Sequence, residues 1–140
     1  MVRSKEALKA YIGIKRTNDR FTTAAKQHVA HYDLNLNEFA VLELLFHKGE
    51  QTVQTIKEKI LIANSSTTYI IDKLSDKGLV KRVVSSDDRR IFFIHLTEKG
   101  EALISQIFPE HEKIIENLYQ RLTDEEIIDL KELLKKLNHK

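Results

Sequence analysis

Residues 64–97 read NSSTTYIIDKLSDKGLVKRVVSSDDRRIFFIHLT, and this stretch carries the main signals for the fold. A helical pattern opens the stretch and stops at Gly78, because glycine readily adopts the left-handed backbone that ends a helix. Two strand patterns follow, at 79–84 and 91–96, with the polar turn 85–90 between them. The stretch therefore predicts a short helix followed by a charged β-hairpin.

Helices with recognisable ends are predicted before this stretch. An apolar pattern of helical period covers residues 5–32. Asn35 and Glu38 form an N-x-x-E capping box for a second helix, which should end at Gly49. Thr52 can cap a third helix, which leads into the helix that opens the stretch described above.

Two further helices are predicted after the hairpin. Thr97 can cap a long helix that Pro109 should kink or interrupt, since proline removes a backbone donor. Thr123 and Glu126 form a full T-x-x-E capping box for the last helix. The element order is therefore α-α-α-α-β-β-α-α, with a minor strand before the fourth helix. We expect a mainly α chain with a small β-hairpin.

Composition bounds the class of protein. A chain of 140 residues, 41% hydrophobic and 31% charged, suits a single domain, 1–140. It has no cysteine, which excludes disulfides, thiolate metal sites and thiol redox sensing. No apolar run resembles a signal peptide or approaches membrane-spanning length, so we expect a cytoplasmic protein without a membrane partner. Basic and acidic segments alternate, which suits one anion-facing side.

The helix that opens the quoted stretch has two different faces on a helical wheel. Its apolar face, which should pack on the third helix, carries Thr67, Ile70, Ile71 and Leu74. The other side presents Ser65, Ser66, Thr68, Tyr69, Asp72 and Lys73. Small hydroxyl side chains let a helix approach a DNA groove closely, and an exposed Tyr69 has no evident folding role. The alternative is a plain amphipathic surface helix.

The hairpin offers a second contact with DNA. Its second strand alternates, and the predicted half-buried face carries Phe92, Ile94 and Leu96. Arg89 and Arg90 lie at the tip, where adjacent arginines can enter a narrow minor groove and its focused negative potential. Asp88 can pair with Arg90 and fix its direction. A solubilising charged turn is the alternative, but the preceding helix favours DNA binding.

The terminal helices predict self-association. The first helix and the last two all carry apolar stripes, and a chain of this length has a limited core in which to bury them. Their surplus apolar surface is best buried against a second copy of the chain. We therefore expect a homodimer, with a well-covered monomer as the alternative.

Four motifs together have the form of one known family. They are D-K-L-x-x-K-G-L-V-K-R from Asp72, D-D-R-R-x-x-x-I-x-L-T-x-x-G up to Gly100, L-N-L-N-E-F-x-V-L-x-x-L at 34–45, and L-T-D-E-E-x-x-x-L-x-x-L-L at 122–134. The chain resembles the MarR-type winged helix-turn-helix repressors over nearly its whole length. The block 78–97 is the most specific part, although its turn lacks the proline common there.

The resemblance implies a winged helix-turn-helix region at 34–97 and a helical dimerisation region at 1–33 and 98–140. The recognition helix would be 64–77. Residues that would read the major groove are Ser65, Ser66, Thr68, Tyr69 and Lys73. Arg90, with Arg89 alongside, would enter the minor groove, and candidate phosphate contacts are Gln54, Lys57, Lys81 and Arg82. A two-fold dimer predicts an inverted-repeat operator with half-sites about 10 bp apart.

The resemblance also implies a signal. In this family a small aromatic or phenolic compound commonly releases the repressor from double-stranded DNA. Candidate lining residues from the first and second helices are His31, Tyr32, Phe39 and Phe46. Such a ligand would act by favouring a state whose two recognition helices no longer match successive grooves.

Three other functions compete with this one. A zinc-responsive regulator of the same fold could use His28, His31 and His111 with Glu110 or Glu112, although surface or interface histidines are the simpler interpretation, and no metal or cofactor is expected. An enzyme is disfavoured, because the chain has no G-x-S-x-G, P-loop, G-x-G-x-x-G or H-E-x-x-H motif. A winged helix that binds protein instead of DNA would tend to lose the wing arginines, which this chain keeps.

Overall fold

The computed structural model describes the backbone of residues 1–60 and 64–139 and the side chains of 1–60 and 66–139. Its elements are α1 (Val2–Ala30), α2 (Leu36–Lys48), β1 (Gln51–Thr52), α3 (Val53–Ile60), α4 (Asn64–Asp76), β2 (Val80–Val84), β3 (Phe92–Leu96), α5 (Glu98–Leu118) and α6 (Asp124–Leu137). The predicted mainly α fold with a small hairpin is confirmed. The six predicted helices and the two hairpin strands follow in the predicted order.

Short-range capping explains where the helices begin and end. Asn35 Oδ1 accepts a hydrogen bond from the Glu38 amide at 2.8 Å, and Glu38 Oε1 accepts one from the Asn35 amide at 3.0 Å. The other predicted caps, whose hydroxyl groups accept a backbone hydrogen bond, are Thr52, Thr97 and Thr123. Gly49 and Gly78 adopt φ values of 77° and 75°, which explains glycine at these two helix ends.

The core lies where α2, α3, α4, the sheet and the first half of α5 meet. Its fully buried side chains include Val41, Leu42, Ile56, Ile71, Leu74, Ile94, Ile104 and Ile107. The predicted apolar face of α4 is confirmed, because Thr67, Ile70, Ile71 and Leu74 are all at most 4% exposed. Burial of this face fixes which side of α4 remains available to solvent.

The sheet is antiparallel, with strand order β1-β3-β2. Gln51 and Thr52 pair with Ile94 and Phe93, so the short strand β1 precedes α3. The minor strand predicted before the fourth helix would fall on residues 61–63, which lie outside the described residues, so it stays a prediction, whereas β1 was not anticipated. Two residues are too few to give an alternating pattern, so only pairing across the sheet reveals β1.

One prediction for the second hairpin strand is also corrected. Ile94 is fully buried and Leu96 is half-buried, but Phe92 is exposed. Ile94 has a neighbouring strand on each side, β1 and β2, whereas Phe92 pairs only with Val84 at the outer end of the hairpin. The hairpin therefore extends beyond the core, and alternation alone could not indicate where burial stops.

Helix α5 continues through Pro109 without interruption. Proline removes the backbone hydrogen bond to the residue four positions earlier, but packing can hold the helix together. Here Ile104 and Ile107 are fully buried just before the proline, and Glu110 just after it contacts α1. An interruption at Pro109 is therefore excluded.

The terminal helices carry few buried side chains. In α1 only Ala25 and Val29 are buried, and α6, all of whose side chains are described, has none. Large apolar side chains exposed on these helices include Leu8, Tyr11, Ile12, Ile14, Ile128, Leu133 and Leu137. Within residues 1–60 and 64–139, no helix is both long enough and apolar enough to span a membrane.

Candidate nucleic-acid interface and effector region

The solvent side of α4 presents the polar residues that the sequence indicated. Thr68, Tyr69, Asp72 and Lys73 are exposed and Ser66 is half-buried. Tyr69 is 60% exposed, and the Lys73 ammonium lies 5.5 Å from the centre of its ring, within cation–π range. The side chain of Ser65 lies outside the described residues. This face joins hydroxyl groups, an aromatic ring and a cation on one helix.

Asp72 links α4 to the first hairpin strand, a contact that sequence reasoning missed. Its Oδ1 accepts a hydrogen bond from a terminal nitrogen of Arg82 at 2.5 Å. Arg82 was expected to contact phosphate, but its guanidinium is already engaged by this carboxylate. Asp72 and Arg82 are ten residues apart and lie on different elements, so their spacing along the chain gives no signal of the contact. The helical pattern places Asp72 only on the exposed face of α4.

The hairpin tip holds Arg90 in a defined direction. The Asp88 carboxylate accepts hydrogen bonds from Arg90 Nε, a terminal nitrogen and the backbone amide, at 3.1, 3.1 and 3.0 Å. The predicted Asp88–Arg90 pair is therefore confirmed, and the Arg90 side chain is 90% exposed. The pKa of Asp88 is held below its ordinary value by the hydrogen bond from the Arg90 side chain and then by that from its backbone amide.

The Ser85 hydroxyl completes the tip by accepting hydrogen bonds from the amides of Asp87 and Asp88. Arg89 is exposed beside Arg90. Such a tip presents two cations on a small, internally bonded turn. It can therefore bring positive charge to an anionic groove with little ordering of the backbone.

The remaining predicted phosphate contacts differ in their surroundings. Lys81 is exposed on β2 and Lys57 is half-buried on α3. Gln54 is exposed on α3, and its side-chain amide donates to Glu58 Oε1 at 3.0 Å. Lys81 is therefore the best placed of the three to meet a phosphate, while Gln54 would first have to leave an acidic neighbour.

A polar cluster joins the end of α1 to α5. Glu110 Oε1 lies 2.9 Å from Nε2 of His28 and accepts a hydrogen bond from the Tyr32 hydroxyl at 2.5 Å. The pKa of Glu110 is lowered by the His28 and Tyr32 hydrogen bonds, and the pKa of Tyr32 is raised by the bond to Glu110. His31, the remaining candidate on this helix, is exposed at its end.

Phe39 and Phe46 belong to an aromatic cluster between α2 and α5 whose other members were not anticipated. The ring centres of Phe39 and His111 lie 4.7 Å apart, and those of Phe46 and Phe108 lie 6.1 Å apart. His47 contacts Phe108 at 4.5 Å between ring centres. Phe108 and His111 are three residues apart on one helix, which is the signal that could have found them.

The four proposed ligand residues do not converge on one cavity. Phe39 and Phe46 lie in the aromatic cluster, Tyr32 in the polar cluster, and His31 in solvent. An open groove of about 380 Å³ between α2 and α3 is lined instead by Ala40, Glu43, Leu44, His47, Lys48, Lys59 and Ile60. His47 belongs to both the groove and the aromatic cluster.

The histidine ring of His111 is partly buried and has an orphaned nitrogen. Its Nδ1 has no hydrogen-bond partner in the described part of the chain. Burial lowers the pKa of His111, while the Glu43 carboxylate raises it and the charge of His28 lowers it further. The imidazole is therefore favoured in its neutral form.

The zinc alternative finds only part of its ligand set assembled. His28 and Glu110 are together, but Glu110 Oε1 is already hydrogen-bonded to His28 Nε2 and accepts from the Tyr32 hydroxyl. Over residues 1–60 and 64–139, no three histidine, cysteine or acidic side chains are grouped as a metal site requires. A zinc-responsive regulator stays a prediction that this arrangement of side chains does not support.

Comparison with known proteins agrees with this geometry. The sequence profile of the MarR family matches residues 34–92. The HTH-type transcriptional regulator MhqR of Bacillus subtilis (strain 168) is 41% identical over 134 residues, covering 96% of this chain and 92% of that protein. An E. coli MarR mutant complexed with operator DNA has a similar fold, with a TM-score of 0.85, 24% identity and coverage of 95% of this chain and 96% of that one.

A second solved structure is similar to the same extent. Bordetella bronchiseptica BpsR, whose DNA binding is regulated by 6-hydroxynicotinic acid, has a TM-score of 0.82 and 22% identity, with coverage of 92% of this chain and 98% of that one. At such identities the two structures establish the fold, whereas the B. subtilis relative establishes kinship. The chain belongs to the MarR family and is a transcriptional regulator with a winged-helix DNA-binding fold, not an enzyme.

Proposed function

We propose that the chain is a homodimeric repressor that binds an inverted-repeat operator and is released by a small aromatic or phenolic ligand. The observation that carries the proposal is the common exposure of Tyr69 and Lys73 on α4 and of Arg89 and Arg90 at the hairpin tip. A helix and a hairpin with these side chains suit adjacent major and minor grooves. A regulator must share a compartment with its DNA, so we expect a cytoplasmic protein.

Base contacts and backbone contacts are divided between these elements. We assign base reading to Ser65, Ser66, Thr68, Tyr69 and Lys73, and minor-groove contact to Arg89 and Arg90. Phosphate contact is assigned to Gln54, Lys57 and Lys81, and to Arg82 only if DNA competes with Asp72 for it. Base contacts specify sequence, whereas phosphate contacts add affinity without sequence preference.

The division of roles is tested by selecting bound sequences from random duplex DNA. We expect an inverted repeat with half-sites about 10 bp apart. Arg90→Ala should lower affinity while the selected motif is preserved, and Tyr69→Ala should select an altered motif. Equal, weak binding of every duplex by the unaltered protein would contradict the proposed function.

Dimerisation is supported by the terminal helices. The exposed apolar side chains of α1 and α6 need a cover that the described residues do not supply, and a second copy offers the same surface by two-fold symmetry. The two winged helices would then be held at a fixed separation, as successive grooves require. Residues 1–33 and 98–140 form the dimerisation region in this proposal, and 34–97 the DNA-binding region.

The ligand is proposed to bind where α1, α2 and α5 meet. The aromatic cluster of Phe39, Phe46, His47, Phe108 and His111 supplies ring surfaces, and the orphaned Nδ1 of His111 supplies a polar group for a phenolic hydroxyl. Tyr32 is connected to α5 by its hydrogen bond to Glu110, which also contacts His28. Exposed His31 is the weakest of the four candidate lining residues.

A panel of phenols and other small aromatic compounds tests this ligand role. Binding is measured by calorimetry, and DNA release by fluorescence anisotropy of a labelled operator. We expect at least one compound to bind and to weaken operator binding, and Phe39→Ala to reduce both effects together. Tight binding of phenols without any effect on operator affinity would remove the inducer from the proposal.

A further inference from the structure

The end of α4 is tied to the corner between α1 and α2 by one lysine. Lys77 follows directly after α4, and its Nζ lies 2.9 Å from Glu38 Oε2 in the first turn of α2. The same ammonium donates a hydrogen bond to the backbone carbonyl of Asp33 at 2.5 Å. Lys77 therefore connects the last turn of α4 to the corner between α1 and α2.

Glu38 has two separate partners for its two oxygens. Oε1 accepts the capping hydrogen bond from the Asn35 amide, and Oε2 is buried opposite the Lys77 ammonium. The Glu38 side chain is only 5% exposed. A buried carboxylate depends strongly on its cation, because loss of one partner leaves the other charge without compensation.

The corner that Lys77 reaches has an unusual backbone. Asp33 adopts a φ of 59°, a left-handed conformation that non-glycine residues rarely take, although aspartate tolerates it better than most. Leu34 donates its amide to the Val29 carbonyl at 3.2 Å, which closes the end of α1. The neighbouring Tyr32 donates to Glu110, so the corner is also fixed to α5.

The residues after α4 are held from the other side as well. Lys99 Nζ donates to the Lys77 carbonyl at 2.8 Å, and the Thr97 hydroxyl donates to the Gly78 carbonyl at 2.6 Å. The segment that ends α4 therefore lies between the α1–α2 corner and the first turn of α5. Lys77 also lies 4.0 Å from the exposed Asp33 carboxylate, but its pair with Glu38, at 2.9 Å, is the one that involves a buried carboxylate.

We propose that Lys77 and Glu38 are positioning residues for DNA recognition. Their ion pair fixes the orientation of α4 relative to the corner between α1 and α2. It therefore sets the angle at which the exposed α4 face meets a groove. The inference rests on the proposed function, because it requires α4 to contact DNA. The competing role of Lys77 is a direct contact with a DNA phosphate. The two roles predict different effects on operator affinity when Glu38 is replaced.

The test compares Lys77→Met, Glu38→Gln and the double variant. Methionine keeps the apolar stem of lysine, and glutamine can still form the capping box. Each single change should weaken binding to the selected operator by about 2- to 30-fold, the size of effects transmitted through residues that touch neither partner. Binding to random duplex and its salt dependence should stay unchanged.

Two further variants make the result specific. Lys77→Arg should retain most operator affinity, because an arginine can pair with the same carboxylate. The double variant should bind the operator no more weakly than Lys77→Met and should be more stable than it, because no buried charge is left alone. The double variant therefore keeps the proposal testable even if Lys77→Met alone folds poorly. Lys81→Met serves as the control for a lost phosphate contact.

Three outcomes would overturn the proposal. In the first, Lys77→Met weakens binding to the operator and to random duplex alike, and it lowers the slope of log affinity against log salt concentration by about 0.9, as Lys81→Met should. Glu38→Gln then leaves the affinity for the operator equal or higher. In the second, all variants bind the operator like the unaltered protein. In the third, the unaltered protein prefers no duplex, and the proposed function then fails together with this inference.

Discussion

At the scale of single residues, the hairpin tip shows how one carboxylate can prepare a cation for binding. Asp88 accepts three hydrogen bonds from Arg90, although the arginine is 90% exposed. A surface ion pair of this kind contributes little to stability. In the proposed function its value is that the long arginine side chain is already ordered before DNA binds.

Replacing Asp88 should therefore affect binding more than folding. Asp88→Ala frees Arg90, whose ordering must then be supplied on binding, so operator affinity should fall by about 2- to 10-fold. Asp87→Ala is the matched control, because it removes the same charge from the same turn without touching Arg90. Fluorescence anisotropy at fixed salt measures both. Equal affinities of the two variants would contradict the ordering role.

The partly buried His111 predicts a pH dependence of stability. Burial lowers its pKa, so below about pH 6.5 the unfolded chain binds more protons at this position than the folded chain. Stability should therefore be lost as pH falls through about 6.5, with Glu43 opposing and His28 reinforcing the loss. Urea unfolding of His111→Gln should show a weaker pH dependence than the unaltered protein. An identical dependence in both would refute the assignment.

At the scale of elements, the junction between the hairpin and α5 depends on one close approach. Gly100, in the first turn of α5, packs on the backbone of Leu79, and a Cβ built at Gly100 would lie 2.0 Å from the Leu79 carbonyl oxygen. The Thr97 amide donates to that same carbonyl at 3.0 Å. The hairpin and α5 therefore meet backbone to backbone, with no room for a side chain.

The same substitution should have opposite effects at two glycines. Gly100→Ala must push α5 away from Leu79, so we expect it to lower the free energy of unfolding by about 1–3 kcal/mol. Gly13→Ala, in α1 where no described atom of the same chain lies near the added methyl, should raise it by up to about 1 kcal/mol. Chemical denaturation measures both values. A neutral Gly100→Ala would show that α5 shifts without strain.

At the scale of the whole molecule, the distribution of apolar surface separates two parts of the chain. The winged helix surrounds an apolar core, whereas α6 buries none of its side chains and most of α1 lies in solvent. Leu133 and Leu137 are 64% and 69% exposed on α6. Such surface is costly to leave in water, which makes a second copy the natural cover.

A charged residue on this surface should weaken the dimer. Leu133→Lys is expected to raise the dimer dissociation constant by about tenfold or more, since burial of one leucine contributes about 1.5–3 kcal/mol. Glu132→Lys, the neighbouring exposed position, is the control. Analytical ultracentrifugation gives the association state, and operator affinity should fall with the loss of dimer. If the unaltered protein were monomeric at working concentrations, the proposed two-fold dimer would be excluded.

The amino-acid sequence by itself determined the element order, the caps at Asn35 and Thr123, the glycine ends of helices, the buried face of α4 and the family resemblance. All of these depend on residues a few positions apart, whose spacing is visible along the chain. Only the tertiary structure decided the contacts of Asp72 with Arg82, of Glu38 with Lys77 and of His28 with Glu110, together with the two-residue strand β1 and the exposure of Phe92. These depend on how elements distant in sequence pack, because a side chain finds its partner only when the core has fixed both backbones.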